Sequence, residues 1–252
     1  MENFDLVVGI HSIVAALENP HRNIYKIVAT EEAITELKKK TNLDGINIQL
    51  ASSHKVQEES KLYFKQLELE YQRVPSGVFL LCSELQTIDI KEFYYAVENS
   101  TNLRILCLDQ VSDVHNAAAI LRTASFYGVD YVIVPDKKSF GLTPSFFRIA
   151  SGAAENVKLV TVNKLTKLIS KLLQLNVYCV ALSEHAKGDF TEALVSEENN
   201  KCIIVGKEDV GISNAVLRLI PNHMSLDSSG YIKSLNVSIA AAITMERCFK
   251  KK

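Results

Sequence analysis

Short solid runs of aliphatic residues recur along the chain, and each is followed by a stretch in which apolar side chains return every third or fourth position. From Leu103 onward the runs RILCL, YVIV, KLVTV, VYCVAL and CIIVG read as buried strands. Between the first two, NAAAILRTASFYG places Ile120, Leu121 and Ala124 on one helical face, with Gly128 as its stop. PSFFRIASGAAENV and NKLTKLISKLLQL are further helical segments, and a long helix closes the chain after IKSLNVSIAAAITMERC. Strand and helix alternate as parallel βαβ units require. Residues 1 to 82 repeat the alternation on a smaller scale: LVVGI, a helix through HSIVAALEN, YKIVAT, a helix over EEAITELKKK, INIQLA, then HKVQEESKLYFKQLELE. The expectation is an α/β protein with a smaller N-terminal domain over 1–82, a linker over 83–102 whose own pattern suits a helix, and a larger domain with a parallel sheet over 103–252.

Composition narrows the class. The 252 residues are 47% hydrophobic, ample for a packed core. Lys and Arg number 28 against 29 Asp and Glu, a net charge of -1, which excludes a general polycationic grip on nucleic acid. Lys38–Lys40, Lys137–Lys138 and Lys250–Lys252 are local basic runs, each also read as a solvated helix end or tail. Five cysteines stand far apart, without CxxC or zinc spacing and mostly inside apolar runs, as reduced core residues do. The start MENFDLVVGI has no long apolar region and no later segment suits a membrane span, so a cytoplasmic protein without membrane attachment is expected. No metal-ligand cluster is visible.

In an open parallel sheet, ligands bind beyond the carboxyl ends of the strands. Three segments there draw attention. In LDQVSDVHNAAAILR, Asp109, Ser112, Asp113, His115 and Asn116 crowd a strand exit and a helix start. Helix capping accounts for one or two of them. It does not call for all five, nor for Arg122, which reads either as a solvent-facing arginine or as a planar, permanently charged fork for phosphate. In IIVGKEDVGISNAVL, Gly206, Gly211 and a cap at Ser213 make a tight strand-to-helix turn; it is neither GxGxxG nor a Walker loop, which argues against a nucleotide phosphate. In MSLDSSGYIKSLNVSIAAAITMERC, Ser234 or Asn236 caps the last helix, and no Glu or Gln follows at the spacing of a capping box. His11, His115, Tyr71 and Arg73 read as structural residues more readily than as RNA contacts.

Taken together, D-x-V-x-D-x-H-N with Arg122, G-x-E-x-x-G and S-L-N-V-S-x-A, in that order, resemble the three motifs of the SpoU/TrmH family of RNA ribose 2′-O-methyltransferases, within the SPOUT superfamily. ASGAAENV at 150–157 is also typical of it, a weaker likeness in VVGIHSIVAAL extends it to the family's N-terminal substrate-binding module, and that module with the chain's length favours the branch that modifies a guanosine in 23S rRNA. The resemblance covers about residues 103 to 249. It implies a deep trefoil knot, S-adenosylmethionine held by backbone around Gly206, Leu226 and Leu235, and a homodimer that includes the final helix. It also implies a polar catalytic set of Asn116, Arg122, Glu208, Ser234 and Asn236. In that set Arg122 meets the phosphate beside the target ribose, Asn116 and Asn236 orient the hydroxyl and the loops, and Glu208 organises the pocket. A guanidinium, protonated with a pKa above about 12, is a poor base, so the proton acceptor stays open.

Two positions depart from the family pattern. Ala118 adds a methyl where the family has glycine, and Asp209 adds a negative charge where the middle glycine of the second motif stands. Neither removes a polar member of the set, so activity on 23S rRNA is expected. The alternatives are a tRNA ribose methyltransferase and an inactive rRNA-binding assembly protein of the same fold.

Overall fold

Apolar runs become strands where both faces can be covered, and the computed structural model shows two sheets built this way. It describes residues 3–136, 139–184, 186, 199–228, 230–231 and 234–249. Lys137, Lys138, Ile232, Lys233 and Lys250–Lys252, named above, lie outside them. The chain divides into two units, Met1–Gln86 with Gly141–Asn156, and Thr87–Phe140 with Val157–Lys252.

The first unit carries strands β1 (Phe4–Val8), β2 (Ile24–Ala29), β3 (Ile48–Leu50) and β4 (Val78–Ser83), in the order β1-β4-β2-β3. Strand β4 runs antiparallel to both of its neighbours, while β2 and β3 are parallel. Its VFLLCS sequence was not among the strands read from the chain, although it is a solid apolar run of the same kind as CIIVG. Helices α1 (Ile10–Glu18), α2 (Glu31–Lys38) and α3 (Ser53–Gln66) follow the first three strands. Thr30 and Ser52 start α2 and α3 by accepting from Ala33 N and Lys55 N. Lys38 and Lys39 close α2, the helix-end role that a basic run suits.

The segment 141–156 belongs to this unit as two short helices, Pro144–Ala150 and Ala153–Asn156. PSFFRIASGAAEN does not run through as one helix. Ser151 and Gly152 take positive φ, 53° and 89°, and a Cβ on Gly152 would lie 2.8 Å from Ala15 Cβ, so the break follows from close approach to α1. A buried ion cluster ties the segment to the sheet. Arg22 donates to Asp5 at 2.6 Å, to Glu155 at 2.7 and 3.1 Å, and to the Ser83 carbonyl, with all three charged side chains nearly closed to solvent. Burial raises the Asp5 carboxyl above its usual range against the pull of Arg22. Burial is the largest single influence on Arg22 and opposes its charge, but the hydrogen bonds and charges of Glu155 and Asp5 together outweigh it and the guanidinium ends above its usual range.

In the second unit α4 (Ile90–Asn99) precedes six strands: β5 (Arg104–Asp109), β6 (Tyr131–Pro135), β7 (Lys158–Val162), β8 (Tyr178–Leu182), β9 (Lys201–Gly206) and β10 (Asn222–Met224). They form one wholly parallel sheet, ordered β10-β8-β9-β5-β6-β7. Helix α5 (Val114–Phe126) leaves β5, and α6 (Pro144–Ala150) and α7 (Ala153–Asn156) are the two short helices of the first unit. Helix α8 (Leu165–Gln174) buries Leu165, Leu168, Ile169 and Leu172 at helical spacing, beside Phe93 and Val97 of α4. A single turn, α9 (Asn214–Leu217), precedes β10, and α10 (Val237–Phe249) ends the described chain against α5. All five cysteines are buried, and burial pushes the Cys82 and Cys248 thiols up to about 12, so neither is a ready thiolate. Among the described residues no helix is long and apolar enough to cross a membrane.

Replacing Arg22 with Ala leaves two carboxylates buried without their cation. The expected loss is about 3–5 kcal/mol of unfolding free energy, read as a lower urea midpoint for the full chain.

Candidate active site

Strands β5 and β9 are neighbours, and their last residues, Asp109 and Gly206, stand opposite each other at the carboxyl edge of the sheet. The first two motifs therefore begin side by side. Asp109 is buried, and its Oδ2 accepts from Ser213 N at 2.7 Å, which fastens the start of α9 to the end of β5. Ser213 takes the cap position without a side-chain cap bond; the main-chain link to Asp109 is what holds it. Sequence reading placed Asp109 among five crowded polar residues without giving it this task.

The turn after β9 is closed on itself. Lys207 and Gly211 exchange backbone hydrogen bonds of 3.1 and 2.7 Å, with Gly211 at φ 69°. Gly206 faces this turn so closely that an added Cβ would lie 2.2–2.4 Å from the backbone of Gly211 and Ile212. Only hydrogen fits there.

Three polar residues from three segments then meet. Asn116, in the first turn of α5 where Asp113 caps, donates to Glu208 Oε1 at 3.0 Å. Asn236, just before α10, donates to Asn116 Oδ1 at 3.0 Å and to Glu208 Oε1, which also accepts from Val237 N at 3.3 Å. Asn236 caps α10 as well, its Oδ1 accepting from Ser238 N at 2.9 Å. Capping and convergence are thus one arrangement.

Beside this network lies a cavity of about 550 Å³, within the range of roughly 300–1,000 Å³ usual for small-molecule sites. Gly206, Leu226, Leu235, Glu208 and Ser234 line it, with Leu182, Val205, Ile212 and Leu217 supplying apolar wall. Asn116 and Asn236 join through Glu208 and are not themselves lining residues. Arg122 is apart: it is exposed on α5, six residues beyond Asn116, with no ion pair among the described residues. Ala118 is fully buried in α5 and Asp209 is exposed at the cavity rim. No group of three or more His, Cys, Asp or Glu among the described residues is placed to hold a metal ion.

Residues 103–246 match the model of the SpoU rRNA methylase family. The 23S rRNA (guanosine-2′-O-)-methyltransferase RlmB of Acinetobacter baylyi is 30% identical, over 95% of this chain and 95% of its own. The chain belongs to the SpoU rRNA methylase family. A protein ascribed to the TrmH family of tRNA/rRNA methyltransferases in Staphylococcus aureus is 27% identical over 98% of this chain and 96% of its own. Among solved structures, the SpoU methyltransferase AviRb of Streptomyces viridochromogenes, in complex with AdoMet, superposes with TM-score 0.74 at 17% identity, covering 97% of this chain and 88% of that one. An RNA 2′-O ribose methyltransferase does so with TM-score 0.73 at 19%, covering 98% and 88%. These two likenesses establish the α/β fold with its parallel sheet. As a family member the chain is an S-adenosylmethionine-dependent RNA methyltransferase. The cavity suits that ligand: its size is right, and Gly206 and Gly211 leave bare backbone in its wall.

Gly206→Ala is expected to cost about 1–3 kcal/mol through overpacking and to abolish S-adenosylmethionine binding in calorimetry, with the first unit still folded.

Proposed function

We propose that this protein transfers a methyl group to the ribose 2′-hydroxyl of a guanosine in 23S rRNA. The observation that carries the reading is the meeting of Asn116, Glu208 and Asn236 at the rim of the cavity. The match to the Acinetobacter enzyme along nearly the whole chain supports the substrate.

Gly206, Leu226 and Leu235 would hold S-adenosylmethionine, which supplies an electrophilic methyl on a sulfonium. The residues' part is positional. Glu208 holds both asparagine amides, so the first turns of α5 and α10 keep a fixed spacing at the rim. Ser234 stands beside Leu235 with its hydroxyl available to orient the ribose. Aligning two reactants is worth on the order of 7–11 kcal/mol of barrier, so a site of this kind needs no strong acid or base of its own to be effective. Arg122, exposed and without an ion pair among the described residues, is suited to take the phosphate next to the target nucleotide in a bidentate grip.

The same reading assigns RNA substrate binding to the unit of residues 1–86 with 141–156 and methyl transfer to the unit of 87–140 with 157–252, in place of the division into 1–82, 83–102 and 103–252 expected from the sequence. It includes a trefoil knot, supported by the path of the chain: from β9 it runs out to β10 beyond β8, then returns to lay α10 against α5 and β9. It also includes a homodimer, supported by Phe126 and Ile239, 81% and 51% exposed on the packed pair α5 and α10. A tRNA ribose is the second substrate reading, favoured by the S. aureus relative, whose name covers both RNAs. The intact polar network argues against an assembly factor that has lost catalysis.

Mapping 2′-O-methyl groups in rRNA and tRNA from cells with and without the gene tests the substrate. The expected result is loss at one 23S guanosine; loss at a tRNA position replaces the first reading with the second, and no loss anywhere sinks both. Arg122→Lys keeps the charge and loses the fork, so turnover is expected to fall roughly a hundredfold with S-adenosylmethionine affinity little changed. Near-normal turnover would remove the role given to Arg122.

A further inference from the structure

Among the described residues the cavity lining holds more acidic than basic side chains. Among the described lining residues Glu184, Glu208, Asp209 and Asp227 are carboxylates and Lys207 is the one ammonium. Glu208 is engaged by the asparagines. Asp209 is placed differently: it lies in the turn whose base is closed by the Lys207–Gly211 pair and is pressed against Gly206, so its backbone is held at the rim. It occupies a position without positive φ, so a side chain sits there without strain. This is the position at which the motif resembled in the sequence has glycine.

A methyl donor and its spent form differ by one charge. S-adenosylmethionine carries a sulfonium; after transfer the sulfur is a neutral thioether, while the ammonium and carboxylate of the amino-acid portion are the same in both. A negative wall acts on the shared ammonium and carboxylate alike in both, so it changes the ratio of the two affinities through the sulfonium. A unit charge pair about 4 Å apart in water corresponds to roughly a fivefold change in affinity, and salt screens it.

We infer that Asp209 is a specificity-determining residue that makes the cavity prefer the sulfonium donor to the thioether product by charge, and so favours exchange of the spent product for a fresh donor. The inference rests on the reading that this cavity holds S-adenosylmethionine. It concerns selection between two ligands of one site; the methyl transfer itself is assigned to other residues.

Calorimetry on the full chain with S-adenosylmethionine and S-adenosylhomocysteine, for the native protein, Asp209→Asn and Asp209→Gly, tests it. Both substitutions are expected to weaken the sulfonium ligand about three- to fivefold and to leave the thioether within about twofold. Raising salt from about 0.05 to about 0.5 M should narrow the native preference and leave the variants' ratio nearly constant. Asn removes the charge and keeps the shape, and Gly removes both, so agreement between the two isolates charge from packing. Equal shifts for both ligands, or no shift for either, overturn the inference while the cavity assignment stands. If the native protein binds neither ligand, the cavity assignment fails and takes this inference with it.

Discussion

Glu208 carries one carboxylate oxygen that three donors share: the Asn116 amide, the Asn236 amide and the main-chain N–H of Val237. Those donors belong to the start of α5 and to the start of α10, while Glu208 itself sits in the turn after β9. The charge on the carboxylate draws three N–H dipoles to one oxygen more strongly than a neutral amide oxygen would. The spacing of the three segments, and with it the shape of the rim, follows from that single acceptor. Its hydrogen bonds are charge-assisted, the stronger kind.

A shared acceptor at an exposed rim would be a poor anchor if the backbones beneath it moved. Two features hold them. Asp109 and Gly206 end adjacent paired strands, and Asp109 reaches across to Ser213, so the second motif is attached to the first at the sheet edge. Behind the third motif, α10 buries Val237, Ala241, Thr244, Met245, Cys248 and Phe249 and packs on α5. The polar beginning of α10 and its apolar remainder are therefore two parts of one arrangement: the first forms the rim and the second fixes its place.

The first unit solves a different problem with the same physics. A small mixed sheet gains the segment 141–156 from far along the chain, and the buried Arg22 cluster joins Asp5 of β1 to Glu155 of that segment. Burying three charges has a desolvation cost, offset only because Arg22 meets two carboxylates and a carbonyl together. Nothing in the local pattern of either segment announces that pairing, since Arg22 and Glu155 each read as ordinary charged residues.

The five strands between Arg104 and Gly206 were legible as aliphatic runs, and the helices α5, α8 and α10 as apolar stripes, because burial on a regular element leaves its period in the chain. The motif residues stood out in the chain too, and the structure brings Asn116, Glu208 and Asn236 together beside a cavity that Leu226 and Leu235 line. Strand β4 is a run of the same kind that went unread, and β10, Asn-His-Met with only Met224 buried, holds no apolar run at all. The helix break at Ser151–Gly152 needed the neighbouring α1 to explain it. Asn116 lies 92 residues from Glu208 and 120 from Asn236, so their meeting depends on strand order and on the return of α10. Local sequence records which backbone form a segment prefers and which side it buries. Partners that distant are chosen by how those sides pack, and only the folded chain carries that choice.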